Sequence, residues 1–203
     1  MTKNTFTWLL IIIIIMVVLI SPISIFYFKA ATTTETSIPK WRLQTGTKME
    51  ANNCAIANVT TIDNTLNNTN TTVDEMRAFY GRPGGLNTYS TIKLLKALDL
   101  NVEFVIAPPN SSALSSFITN NDFVLMMVNM NALHGNPVVV ETLNHSVILK
   151  GLKKHRSGDN TLYNITVIDP NFPVPLCRKL DDFTEATTMG LGLPMTGFIL
   201  VNK

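Results

Sequence analysis

A cysteine becomes a nucleophile near neutral pH when its surroundings stabilise the thiolate. A helix N-terminus does this through its exposed N–H groups and the helix dipole. Cys54 follows Asn52-Asn53 and precedes Ile56, Val59 and Ile62, which recur at helical spacing. The pattern predicts a helix that starts at the asparagines, whose side chains would cap it, with the thiol in its first turn. Taken alone, such a cysteine is more simply a small buried residue or a disulfide partner for Cys177. Two further residues change the balance. His145 opens an apolar run, HSVILKGL (145–152), and Asp169 closes another, YNITVID (163–169). In an antiparallel hairpin the start of one strand lies beside the end of its partner, so the carboxylate is placed to orient the imidazole. Taken singly, His145 reads as a structural hydrogen-bonding group and Asp169 as a turn residue before Pro170. With Cys54 they supply a nucleophile, a base and an orienting group, in that chain order.

The elements that must position these residues follow from local signals. Thr72 and Glu75, three apart, have the form of a capping box opening a short helix through Phe79, which Gly81–Gly85 (GRPGG) ends. Gly84-Gly85 reads as a turn. Residues 88–98 put Ile92, Leu95 and Leu98 on one face of a third helix. Residues 102–106 alternate as a strand, 111–119 suit a short helix with Leu114 and Phe117 inward, and FVLMMV (123–128) suits a buried strand. Residues 138–140 extend the sheet or lie in a loop. Residues 153–161 read as a charged hairpin loop, and FILV (198–201) as a last strand. Helices come first and an antiparallel sheet second, which makes the fold class α+β.

Ahead of this domain, residues 8–28 (WLLIIIIIMVVLISPISIFYF) carry no charge. At about 1.5 Å per residue such a run spans a bilayer core of roughly 30 Å. Trp8 and Tyr27 suit the two interfaces. A cleaved signal peptide is the rival, but the run is longer than the usual apolar core of one, and Phe28 or Lys29 would stand three residues before the cut. The expected organisation is an uncleaved membrane anchor over 1–29, a Thr-rich stalk over 30–40 and one folded domain over 41–203. That domain is expected to be membrane-bound through a single pass and outside the cytoplasm, or secreted if the segment is removed.

Composition narrows the function classes. The 203 residues carry 16 basic and 14 acidic side chains, a net charge of +2, and only 15% charged residues. This excludes a disordered chain and one that coats nucleic acid. Two cysteines and three histidines are too few for a disulfide scaffold or a cysteine-rich zinc site. No P-loop, GxGxxG or metal-ligand spacing appears, so no cofactor or metal is expected. His134 (NALHGNP) is assigned to a loop over the cleft or to the surface. His155 belongs with Lys150, Lys153, Lys154 and Arg156 to a solvated basic hairpin, and Met126, Met127 and Met130 belong to the core region. Asn-x-Ser/Thr sequons at Asn58, Asn110 and Asn164 arise by chance in so Asn- and Thr-rich a chain.

The order of a helix-cap Cys, a His opening an apolar strand and an Asp-Pro closing the next resembles the papain-like cysteine peptidases. Within them it is most similar to the bacteriocin-leader peptidases, which cut after a double glycine and often form the N-terminal domain of peptide exporters. The stretches carrying the resemblance are NNCAIANVTTI (52–62), GGLNTYSTIKLLKALDLNVEFV (84–105), HSVILKGL (145–152), YNITVIDPNFP (163–173) and TGFILVNK (196–203). The resemblance implies a papain-like fold and a peptide or protein substrate. It implies that Cys54 attacks a carbonyl carbon, that His145 moves the proton and that Asp169 orients His145. It also implies an oxyanion-binding glutamine just upstream of the cysteine, for which Gln44 is the candidate, with the Cys54 N–H as second donor. Gln44 lies further upstream than the family pattern, which leaves Asn52 and Asn53 as the nearest other amides. Ala55 stands where the family often has glycine, and no exporter segments follow. The implied function is a membrane-anchored thiol hydrolase acting through an acyl-thioester. The alternatives are a non-catalytic peptide-binding module of the same fold, or a transferase or deamidase using the same site.

Overall fold

The computed structural model describes residues 34–35, 41–136, 143–157, 160–188 and 195–203. The anchor expected over 8–28, nearly all of the stalk and the possible strand at 138–140 lie outside the described residues. Among the described residues, no helix is long and apolar enough to cross a membrane.

Most of the helices begin where short-range capping chemistry says they should. A short 3-10 turn, Glu50–Asn52, leads directly into α1, Cys54–Leu66. Helix α2, Val73–Tyr80, has the expected capping box: Thr72 Oγ1 accepts from the Glu75 N–H, and the Thr72 N–H donates to the Glu75 carboxylate. It ends at Tyr80, one residue later than expected, and is closed by Gly81, whose φ of 71° is the left-handed conformation that glycine adopts freely. Helix α3, Thr88–Ala97, and helix α4, Ser111–Asn120, are capped by the side chains of Asn87 and Asn110. Two further helices follow, α5, Met130–Leu133, and α6, Leu180–Thr188.

The strands are β1, Thr34–Glu35, β2, Asn101–Ala107, β3, Phe123–Val128, β4, His145–Ser157, β5, Asn160–Ile168, β6, Leu176–Lys179, and β7, Thr196–Asn202. Among the described residues they form one antiparallel sheet in the order β2-β7-β3-β4-β5-β6, with β1 also paired to β4. The last strand in sequence is therefore an interior strand. Its residues alternate between two cores, Ile199 and Val201 on one face, Phe198 and Leu200 on the other. Helices α1, α2 and α3 cover the first face, and α4, α5 and α6 supply Leu114, Leu133 and Phe183 to the second. The α+β, antiparallel expectation holds. The picture of N-terminal helices packed on a sheet is incomplete, because the opposite face must also be covered by helices.

Two local expectations are corrected. The stretch expected as a charged loop over 153–161 is mostly strand, since β4 runs on to Ser157 and β5 starts at Asn160. Its charged residues pair through the backbone while most of their side chains stay exposed, so no apolar alternation was needed to make strand. The sequon at Asn58 is buried, with its side-chain amide donating to Ser146, and a glycan has no room there.

Candidate active site

Cys54 is the first residue of α1 and is half-buried. Asn53 occupies the N-cap position, but its side chain does not cap the helix, contrary to expectation. Instead Asn53 Oδ1 accepts from Arg77 Nε at 2.8 Å, and its amide donates to Thr47 Oγ1 at 2.8 Å. The first-turn N–H groups are thereby left without a side-chain cap, and the Ala55 N–H helps to stabilise the Cys54 thiolate.

His145 and Asp169 meet as the hairpin register requires. Ile148 pairs with Ile168, so Asp169 stands just past the end of β5, opposite the start of β4. A register shift between Leu149 and Gly151 precedes this paired end. His145 Nε2–H donates to Asp169 Oδ1 at 2.7 Å, and both groups are buried. That bond leaves Nδ1 of the ring for Cys54, with which His145 is hydrogen-bonded. By strand alternation His145 belongs with Val147 and Leu149, which face the α4–α6 side. It reaches Cys54 because it is the first residue of β4, at the end of the sheet where the N-terminus of α1 arrives. Asn58, one turn into α1, ties the same corner down through its bond to the Ser146 carbonyl at 2.9 Å.

The electrostatics follow from these contacts. Burial opposes the His145 imidazolium, but hydrogen bonds to Asp169 and Cys54, with their charges, overcome it and hold its pKa at about 9. Burial likewise opposes the Cys54 thiolate, and the hydrogen bond and charge of His145 with the N–H groups of Ser146 and Ala55 bring its pKa below the ordinary thiol value. Burial raises Asp169, but His145, the Asn171 N–H and His134 pull it below the ordinary carboxylate range. The arrangement favours a thiolate–imidazolium pair backed by an ionised carboxylate.

Gln44 is buried beside this set. Its backbone N–H donates to the carbonyl of Pro170, the residue after Asp169, at 2.9 Å. Its side-chain Nε2 donates to the Glu50 carbonyl at 2.9 Å, in the turn leading to Cys54. The longer loop therefore brings Gln44 to the site despite its distance in sequence. The amide carries a second N–H beyond the one spent on Glu50. Of the two other amides, Asn52 is exposed, and the Asn53 side chain is turned to Arg77 through Oδ1 and to Thr47 through Nδ2. Cys177 is a free, exposed thiol on β6, so no disulfide joins it to Cys54.

Two residues at the site escaped the sequence reading. His134, expected in a loop over the cleft or at the surface, places Nε2 at 2.9 Å from Asp169 Oδ2. Arg77 of α2 is buried behind the nucleophile, donating also to the carbonyls of Asn52 and Gly84 at 2.6 Å each. Nothing in their spacing points to Asp169 or Asn53. The only sequence signals are the Gly135 turn after His134 and the capping box that fixes the start of α2. Among the described residues no cluster of metal-ligating side chains is found.

No protein-family model matches the sequence. No curated protein matches it. Solved structures share its fold, among them these two. One is a double glycine motif protease from an AMS/PCAT transporter in complex with the leader peptide, with a TM-score of 0.51 and 13% identity over 82% of this chain and 92% of that one. The other is the peptidase domain of Streptococcus ComA, a bifunctional ABC transporter involved in a quorum-sensing pathway, with a TM-score of 0.50 and 11% identity over 74% of this chain and 90% of that one. At these identities the likeness is one of fold, and the fold is that of the double-glycine peptidase domains the sequence resembles.

Proposed function

We propose that this chain is a cysteine peptidase-like thiol hydrolase, with Cys54 as nucleophile, His145 as general base and acid, and Asp169 as the group that orients His145. The observation that carries the reading is the hydrogen-bonded series from the N-terminus of α1 through a buried imidazole to a buried carboxylate. In the proposed reaction the Cys54 thiolate attacks a peptide carbonyl carbon, and the carbonyl π electrons move to oxygen. The oxyanion is stabilised by the Cys54 N–H and the second N–H of Gln44. The C–N bond then breaks, and the amine leaves with the proton that His145 carried. Water, deprotonated by His145, attacks the thioester and releases the acid and the thiolate. The leader peptide bound by the double glycine motif protease that shares this fold is the first substrate class to offer this site.

The test uses a thiol-reactive peptide probe ending in Gly-Gly, with Cys177 as internal control. Labelling of Cys54 well above Cys177 that disappears in His145→Ala supports the hydrolase. Equal labelling of the two cysteines in the parent chain favours the non-catalytic peptide-binding module. We also propose that residues 1–29 anchor the domain to a membrane through 8–28, with 30–40 as a stalk and 41–203 as the catalytic domain outside the cytoplasm. The apolar run supports this. Release of the full chain from membranes by alkaline carbonate would refute it.

A further inference from the structure

Asp169 is fully buried and its carboxylate meets three donors. His145 Nε2 (2.7 Å) and the Asn171 N–H (2.9 Å) both go to Oδ1. Oδ2 is met by His134 Nε2 at 2.9 Å. Rotation about the terminal torsion of an aspartate is soft, with broad and roughly two-fold minima. Both contacts on Oδ1 act on one oxygen and do little to fix the other. The contact on Oδ2 turns a hinged group into one held at both ends.

His134 is itself firmly held. It caps the C-terminus of α5, whose N-terminus is capped by Asn129 Oδ1 accepting from the Ala132 N–H. The Asn129 N–H donates to the Ala186 carbonyl, and Arg178 Nε donates to the Leu133 carbonyl at 2.6 Å. Gly135, at φ 71°, turns the chain away directly after His134. The imidazole packs against Phe172, with ring centroids 4.9 Å apart. This is more support than a surface histidine needs, and it converges on one atom of the carboxylate.

We propose that His134 is a positioning residue: its hydrogen bond to Oδ2 locks the Asp169 carboxylate so that Oδ1 stays aimed at His145, and it thereby sustains the Cys54–His145 ion pair. The proposal rests on the catalytic reading given above, but its test does not require turnover. The rate of Cys54 alkylation by iodoacetamide against pH reports thiolate formation directly. The charged and titratable groups around the pair are Asp169 and His134 on one side and Arg77 with Tyr80 behind the Asn52-Asn53 turn. Arg178 stands behind Leu133, Asp182 and Glu185 of α6 line the same hollow as His134, and all of these except His134 are unchanged in the variants used.

His134→Phe keeps a ring against Phe172 but has no donor. With the carboxylate unlocked, the imidazolium is less stabilised and the thiolate forms less readily. The alkylation limb should move to higher pH by about one unit, a roughly tenfold loss of reactivity below the limb. His134→Gln, which carries an N–H to the same region, should restore most of it, while thermal stability stays near that of the parent chain. If His134→Phe overlays the parent profile while His145→Ala abolishes the enhanced reactivity, the positioning role is wrong and the catalytic reading stands. If His145→Ala also overlays the parent, both fall. Should His134→Phe prove poorly folded, His134→Ala with added imidazole replaces it. Recovery of the parent profile supports the proposal, and a profile that imidazole does not move in a folded His134→Ala overturns it.

Discussion

At the scale of single residues, the pair of shifted pKa values makes a prediction about stability. His145 is held at about 9, above its ordinary 6.5, so its contribution is complete below pH 6.5 and is lost as pH rises through 9. Cys54 is held below its ordinary 9.0, so its contribution is complete above pH 9 and is lost as pH falls through the lowered value. The two contributions slope in opposite directions: that of His145 falls as pH rises from 6.5 through 9, and that of Cys54 grows as pH rises from its lowered value to 9, so they oppose each other where the two windows overlap. In Cys54→Ala only the His145 slope is left. His145 then titrates below 9, and stability should decline by up to about 1.4 kcal/mol per pH unit between 6.5 and that lower pKa. Denaturant melts at closely spaced pH values check this; a level profile in the variant contradicts the hold of Asp169 on the imidazolium. Gln44 bears on a different step. Its amide is not among the groups that hold the thiolate, so Gln44→Ala should leave Cys54 alkylation nearly unchanged. Turnover should drop by about 10²–10³, as for loss of one oxyanion donor. Steady-state rates beside alkylation rates decide it, and full turnover would remove Gln44 from the oxyanion site.

At the scale of elements, the instructive unit is α2. Its capping box sets where it starts, and that start determines that Arg77 arrives behind Asn53. The guanidinium is buried with no carboxylate partner among the described residues. It is held by Asn53 Oδ1 and the carbonyls of Asn52, Arg82 and Gly84, with the Tyr80 ring 5.9 Å away. These bonds clamp the turn from which Cys54 projects. Arg77→Met should cost about 3 kcal/mol or more through the acceptors left unpaired, and should slow Cys54 labelling in the fraction that remains folded. Arg77→Lys should recover little of either, because a single ammonium cannot span the same acceptors as the guanidinium fork. Equal stability of the lysine variant and the parent, read by thermal melting, would show that only the charge mattered.

At the scale of the whole molecule, β7 joins what the chain order keeps apart. It lies between β2 and β3 and contributes Phe198 and Leu200 to one core and Ile199 and Val201 to the other. Burial of four such side chains contributes about 6 kcal/mol or more, comparable to the whole stability of an ordinary domain. Removing residues 196–203 should therefore leave the chain without cooperative unfolding. A sharp melting transition in the truncated chain, followed by circular dichroism, would contradict this account of the sheet.

The parts of this protein legible in its sequence are those set by short-range chemistry. Thr72 with Glu75, Asn87 and Asn110 cap helices within one turn of themselves, and FVLMMV has the apolarity of a strand buried on both faces. His145 and Asp169 were also legible, because hairpin pairing converts sequence position into proximity. Asn53 was misread as a cap because its side chain is claimed by an arginine 24 residues away. The helix α6, LDDFTEATT, was missed because it buries little beyond Phe183, Ala186 and Thr187. Whether Cys54 meets His145, and whether His134 holds the far oxygen of Asp169, was decided by tertiary packing alone. Both contacts join elements distant in sequence whose approach is set by two cores on opposite faces of one sheet, and no local pattern encodes where those cores bring the ends of a helix and a strand together.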